Sequence, residues 1–99
     1  MNLESIYDFE WDPAKERANI RKHGVDFSTA TLVFNDRYLA IKYDAEHSLD
    51  EDRFLAIGTI NGCITVFTVV FTIRSELARI ISARPANQSE RKEYYDGIR

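Results

Sequence analysis

FLAIGTINGCITVFTVVFTI, residues 54–73, decides how this chain folds. Its twenty positions carry no charged side chain, long enough for a membrane span, yet Asn61-Gly62 interrupts them. A tight type I′ turn needs positive φ at both central residues, and Asn-Gly supplies it most readily. The flanks FLAIGTI and CITVFTVVFTI are rich in β-branched and aromatic residues. The stretch therefore reads as two paired strands and not as a spanning helix.

Outward from the hairpin, Arg74-Ser75-Glu76 marks another turn, and residues 77–83 read as a last strand ended by Pro85. On the other side, residues 38–43 alternate loosely like a strand. The acidic loop 44–52, which carries His47, joins them to the hairpin and reads as the most mobile part of the chain. Ahead of it, Asp12 offers an N-cap oxygen, Pro13 takes the first helical position, and the mostly polar helix PAKERANIRKH stops at Gly24. Asp26-Phe27-Ser28 caps a second helix over residues 29–34, while Phe9-Glu10-Trp11 is a short extended lead-in with two core aromatics. The tail NQSERKEYYDG begins with Asn87 and has Glu90 three places later, a capping box, with Gly97 closing the helix. The expected architecture is α+β: an antiparallel four-stranded sheet with two N-terminal helices and one C-terminal helix, all packed on one face.

Ninety-nine residues, 44% apolar and 29% charged, suit one domain covering residues 1–99, and exclude collagen-like, disordered and disulfide-framework chains. Cys63 is the single cysteine, so no internal disulfide forms, and a cytoplasmic location is the expectation. The net charge of −3 argues against a nucleic-acid binder until its distribution is read. Residues 24–53 hold three basic and seven acidic groups, whereas residues 74–99 hold six and four. Five of those six cations are arginines, Arg74, Arg79, Arg84, Arg91 and Arg99, beside Lys92. A solvated surface with scattered ion pairs explains such counts, but arginine's donor fork also suits phosphate.

A set of residues in this order resembles a known family. Phe9-Glu10-Trp11-Asp12 is followed by Asn19, then by Lys22-His23-Gly24 before Phe27. The acidic loop leads into Arg53-Phe54, Ile57-Gly58 and Arg74. Last come Arg79-Ile80-Ile81-Ser82-Ala83-Arg84, Ala86, Glu90 and Tyr94-Tyr95. Together they resemble the BrnT toxins over nearly the whole chain. The resemblance implies a RelE-like fold and a metal-independent ribonuclease that blocks translation. It also implies a partner antitoxin, BrnA, whose complex represses its own operon. Pro85 departs from expectation, since a further basic residue after Arg84 would be unsurprising there.

RNA can be cut without metal when its own 2′-OH attacks the adjacent phosphate. The protein then supplies a base, cationic donors to the phosphate oxygens, and an acid for the leaving 5′-oxygen. The two histidines, the lone Cys and the spacing of the acids make no usual zinc or di-metal site, so no metal and no cofactor is expected. There is no phosphate-cradling glycine loop, and Ser82 lacks a nucleophile's sequence context. His23 sits in the last turn of the first helix, where the dipole favours imidazolium. It is therefore either an acid or a cap for helix carbonyls, with Lys22 beside it as an RNA contact. His47 reads as a surface residue steadied by Glu46 and Asp50. Arg74 and Arg84, at strand termini, are the expected transition-state donors with His23 as the third catalytic group; Arg53, Arg79 and Tyr94 join Lys22 as RNA contacts. Parity makes the grouping conditional: a two-residue turn after Arg74 places it with Arg79, a three-residue one with Ser82 and Arg84. Tyr94 and Tyr95 differ by about 100° around a helix, so only one faces the sheet while the other is free to stack on a base.

The leading expectation is thus an endoribonuclease that leaves 2′,3′-cyclic phosphate ends and is neutralised by a BrnA-like antitoxin. It would reach operator DNA only through that complex and have no contact with a membrane. The competing one is a non-catalytic subunit of a repressor complex, which the acidic balance fits without help. A small-ligand sensor would need a deep apolar pocket that this core can hardly spare.

Overall fold

In the computed structural model, which describes residues 8–98, β3 (Phe54–Thr59) and β4 (Val66–Arg74) form the expected hairpin. Arg99, counted above among the cations, lies outside the described residues. Asn61 and Gly62 have φ of 51° and 72°, and the Cys63 N–H donates to the Ile60 carbonyl at 3.0 Å, which makes the type I′ turn. The strands do not run up to it: Thr59 pairs with Val66, and Ile64 is 92% exposed in the connecting loop. Asp36, whose carbonyl accepts from the Leu39 N–H, turns the chain just before β2 (Ala40–Tyr43), which is therefore shorter than the alternation implies.

The sheet has five strands and is mixed, in the order β1-β5-β4-β3-β2. The expected four-stranded antiparallel sheet is corrected by β1 (Phe9–Trp11), the lead-in, which pairs parallel with β5 (Leu77–Pro85). Three residues carry too little alternation to announce a strand, and their pairing depends on a partner at the far end of the chain. The second helix is likewise split, into α2 (Phe27–Ala30), capped by Asp26, and a 3-10 turn over Thr31–Asn35.

The helices cover both faces, not one. Phe27, Ala30 and Val33 pack with Ala56, Val69, Phe71, Ala78, Ile80 and Ala83 on one side of the sheet. On the other side, α3 (Gln88–Asp96) lays Tyr94 against Ile57, Val66 and Ala86. Side-chain alternation along β5 changes at one place: Phe71 pairs with Ile80 but Val70 with Ser82, leaving Ile81 as an extra residue. Before this bulge, Ala78 and Ile80 face the first core; after it Ala83 does, and Ser82 and Arg84 turn to the opposite face.

Beyond the bulge, β1 has ended, and α1 (Pro13–His23) runs beside β5 in its place. The link is buried Asn19. Its Oδ1 accepts from the Ala83 N–H at 3.1 Å, and its Nδ2 donates to the Ala83 and Val25 carbonyls at 2.8 and 2.9 Å. One side-chain amide thus does for Ala83 what a neighbouring strand would do. Asn19→Ala leaves three buried backbone groups unpaired and should cost about 2–3 kcal/mol, lowering the melting temperature by roughly 10–20 °C. Urea denaturation measures this directly, and a loss below about 0.5 kcal/mol would contradict the role.

Candidate active site

The face to which the bulge turns Ser82 and Arg84 carries a continuous groove. One part, 540 Å³, is lined by Lys15, Lys22 and His23 of α1 and by Arg53, Ser82 and Arg84, with no carboxylate among its lining residues. The other part, 660 Å³, shares Arg53, Ser82 and Arg84 and continues past Lys42, Asp44 and His47 to Glu90. A chain of net charge −3 therefore presents a locally cationic stretch at the α1 end of the groove, and of its cations only Arg84 comes from the basic segment 74–99, Lys15, Lys22 and Arg53 being drawn from segments whose counts are acidic.

Arg84 is the fixed point of this groove. Its Nη1 and Nη2 donate to Glu90 Oε1 and Oε2 at 2.7 and 3.0 Å, a two-pronged contact of the kind that fixes a guanidinium plane. Glu90 Oε1 also accepts from the Asn87 N–H and the Thr68 hydroxyl, both at 2.9 Å. Burial works against ionisation of Glu90, but the bonds from Arg84, Asn87 and Thr68 outweigh it and hold its carboxyl down at about 2. Arg84 is correspondingly pushed above its ordinary range, chiefly by the hydrogen bonds to Glu90. The capping box read from sequence is present, with Asn87 Oδ1 accepting from the Glu90 N–H at 2.8 Å. Its acidic member has a second task that the motif does not reveal. The one signal for it was distance along the chain, since the end of β5 and the first turn of α3 are separated only by the short run Ala86-Asn87.

The structure brings His23, Lys22, Arg53 and Arg84 together and leaves three expected residues elsewhere. Arg74 pairs with Leu77 across a two-residue turn in which Ser75 and Glu76 have positive φ. It stands six positions along β4 from Thr68, the partner of Arg84, a separation of roughly 20 Å, with its guanidinium 3.0 Å from Glu51. The two-residue turn puts it on the side of Arg79, which lies 3.6 Å from Glu10. Tyr94 is the tyrosine that faces the sheet: it is buried, and its hydroxyl donates to Asp36 Oδ2, while Tyr95 is exposed. Gly58 permits this arrangement, because a Cβ there would meet Asp36 Oδ2 at 3.1 Å.

Three further expectations change. Gly24, in the left-handed conformation with φ 72°, caps α1 by donating its N–H to the Ile20 carbonyl. Among the described residues no hydrogen bond occupies the His23 imidazole as a helix cap. His47 is not held by Glu46 or Asp50; its Nδ1 lies 2.9 Å from Asp44 Oδ2. The loop expected to be the most mobile is tied down at several points: the Ser48 hydroxyl bridges the Asp44 carbonyl and the Arg53 N–H, Thr72 donates to the Asp52 carbonyl, and Arg74 holds Glu51. Among the described residues no group of three His, Cys, Asp or Glu side chains is arranged to hold a metal, and no helix is long and apolar enough to cross a membrane.

The depressed Glu90 gives a pH signature. A carboxyl held below its ordinary 4.5 adds stability above that value and loses it as pH falls toward about 2. Glu90→Gln should therefore be less stable at neutral pH by about 1–3 kcal/mol, with the gap to wild type closing between pH 4.5 and 2. Denaturation curves at pH 7 and 3 measure this, and a gap unchanged between them would contradict the network.

Comparison with known proteins gives one finding. A family model described as the ribonuclease toxin BrnT of type II toxin–antitoxin systems matches residues 11–90. No curated protein matches the chain.

Proposed function

The chain belongs to this BrnT family of ribonuclease toxins of type II toxin–antitoxin systems, and from that premise we propose that it is a metal-independent endoribonuclease working in the groove around Arg84. The observation that carries the reading is the convergence of Lys22, His23, Arg53 and Arg84 on one groove free of carboxylates at its α1 end. RNA brings its own nucleophile, the 2′-OH, so the protein has only to hold the phosphate, neutralise its developing charge and move two protons. Arg84 has five N–H donors and Glu90 takes two of them, so a fixed guanidinium still offers donors to a phosphate oxygen. Arg53 and Lys22 extend the same field along the backbone of the bound strand, and His23 moves a proton. The products are a 2′,3′-cyclic phosphate and a 5′-hydroxyl, and the target in the cell is RNA used in translation.

A BrnA-like antitoxin neutralises the toxin by covering this cationic face, and the complex, not the acidic free chain, engages operator DNA in a cytoplasmic setting. The α+β order of helices and sheet supports reading the fold as RelE-like.

Purified chain should cut RNA in EDTA and leave 2′,3′-cyclic phosphate ends. Arg84→Ala should lower the rate at least ~10²-fold, the cost of one lost oxyanion-type donor, and Arg84→Lys should restore only part of it. A wild-type rate in folded Arg84→Ala would move the active site elsewhere. RNA left intact over a wide range of wild-type chain would favour the non-catalytic subunit of a repressor complex instead.

A further inference from the structure

The ribonuclease reading needs two proton-transfer groups on opposite sides of the phosphate, and His23 supplies one. We infer that His47, oriented by Asp44, is the second, and that it acts as the general base while His23 acts as the acid; the inference rests on the ribonuclease reading. His47 lies in the 3-10 turn Ala45–His47 that follows β2, and it lines the part of the groove on the far side of Arg53 and Arg84 from His23. A substrate phosphate on Arg84 would therefore have one imidazole on either side.

The roles follow from what each ring touches. A carboxylate can only accept, so the 2.9 Å contact with Asp44 Oδ2 makes Nδ1 the protonated nitrogen of a neutral His47 and leaves the Nε2 lone pair free. Asp44 is well placed to hold the ring: its side chain is 15% exposed, and its backbone N–H and carbonyl are tied to Arg53 and Ser48. His23, in the last turn of α1 on the other side of Arg84, is left as the acid. In the step itself, His47 Nε2 takes the 2′-OH proton as the 2′-oxygen bonds to phosphorus. The bond from phosphorus to the 5′-oxygen breaks, and that oxygen takes its proton from His23. The charged groups around His47 are Lys42 of β2, Arg84 of β5 and Glu90 of α3 on the groove side, with Arg53 ahead of β3. Asp44 and Glu46 of its own loop also line the groove side, while Asp50 and Glu51 lie on the other. Arg74, through Glu51, becomes a positioning residue for this loop and not a phosphate contact.

The test compares an RNA oligonucleotide with one carrying a bridging sulfur in place of the 5′-oxygen at the bond the wild type cuts. Sulfur leaves without a proton, so the loss in His23→Ala should be largely rescued on it, whereas His47→Ala should remain ~10²-fold or more slower on both substrates. His47→Ala should also lose the rising acid limb of the kcat/KM profile, and Asp44→Asn should keep that limb with a smaller loss of rate. His47 is exposed, so its variant should melt with the wild type. His47→Ala cutting at the wild-type rate while Arg84→Ala is crippled would overturn the inference and leave the ribonuclease reading standing. Rescue of His47→Ala by sulfur would reverse the assignment of base and acid and overturn it as stated. A wild-type chain that cuts neither substrate would end both.

Discussion

The extra residue Ile81 in β5 decides on which face the end of that strand presents its side chains. Without it, strict alternation from Ala78 and Ile80 would carry Ser82 and Arg84 into the apolar core. Arg84 would then be a buried cation among Phe71, Val69 and Phe27, at a cost no fold of this size could bear. The bulge breaks the local ladder, and the amide of Asn19 repairs it by pairing with both backbone groups of Ala83. α1 is thereby anchored at the same point, and with it Lys22 and His23. A backbone irregularity, a buried amide and a cationic groove are one arrangement.

Arg84 and Glu90 show how a cation is kept both fixed and available. The carboxylate that holds the guanidinium is itself held by Thr68 and the first turn of α3, so the rotamer of Arg84 is set before any ligand arrives. Partial neutralisation is the cost of that order, and Lys22, Lys15 and Arg53 make up the positive field along the groove. Pairs such as Arg74 with Glu51 and Arg79 with Glu10 serve the fold and its loops instead, which is why counting arginines overstates the site.

Local chemistry was legible in the sequence, and relations between distant segments were not. Asn61-Gly62, the Asp12 and Asp26 caps, Gly24 and the Asn87–Glu90 box are each specified within a few residues, and each is where it was read. The parallel pairing of Phe9–Trp11 with β5 joins the two ends of the chain and leaves no local pattern. The bulge is equally silent, because Ile80-Ile81 reads as apolar under either parity. The bulge returns Arg84 to the face of Arg74 and Arg79, and it is the length of the strands, six positions along β4, that keeps Arg74 apart from it. Of Tyr94 and Tyr95, helix geometry says that one faces inward, but the choice depends on Asp36 and Ile57, both remote in sequence. His47 was passed over because its partner, Asp44, lies three residues back across a turn that composition does not predict.

The central claim is that the face turned outward by the bulge holds the RNA phosphate. It is tested most directly by titrating the chain with an RNA strand that lacks the 2′-hydroxyl at the cleavage position, while following the arginine side-chain signals by nuclear magnetic resonance. The account predicts saturable shifts of Arg84 and Arg53 with Arg74 and Arg79 unmoved. Shifts confined to Arg74 and Arg79, with Arg84 silent, would contradict it.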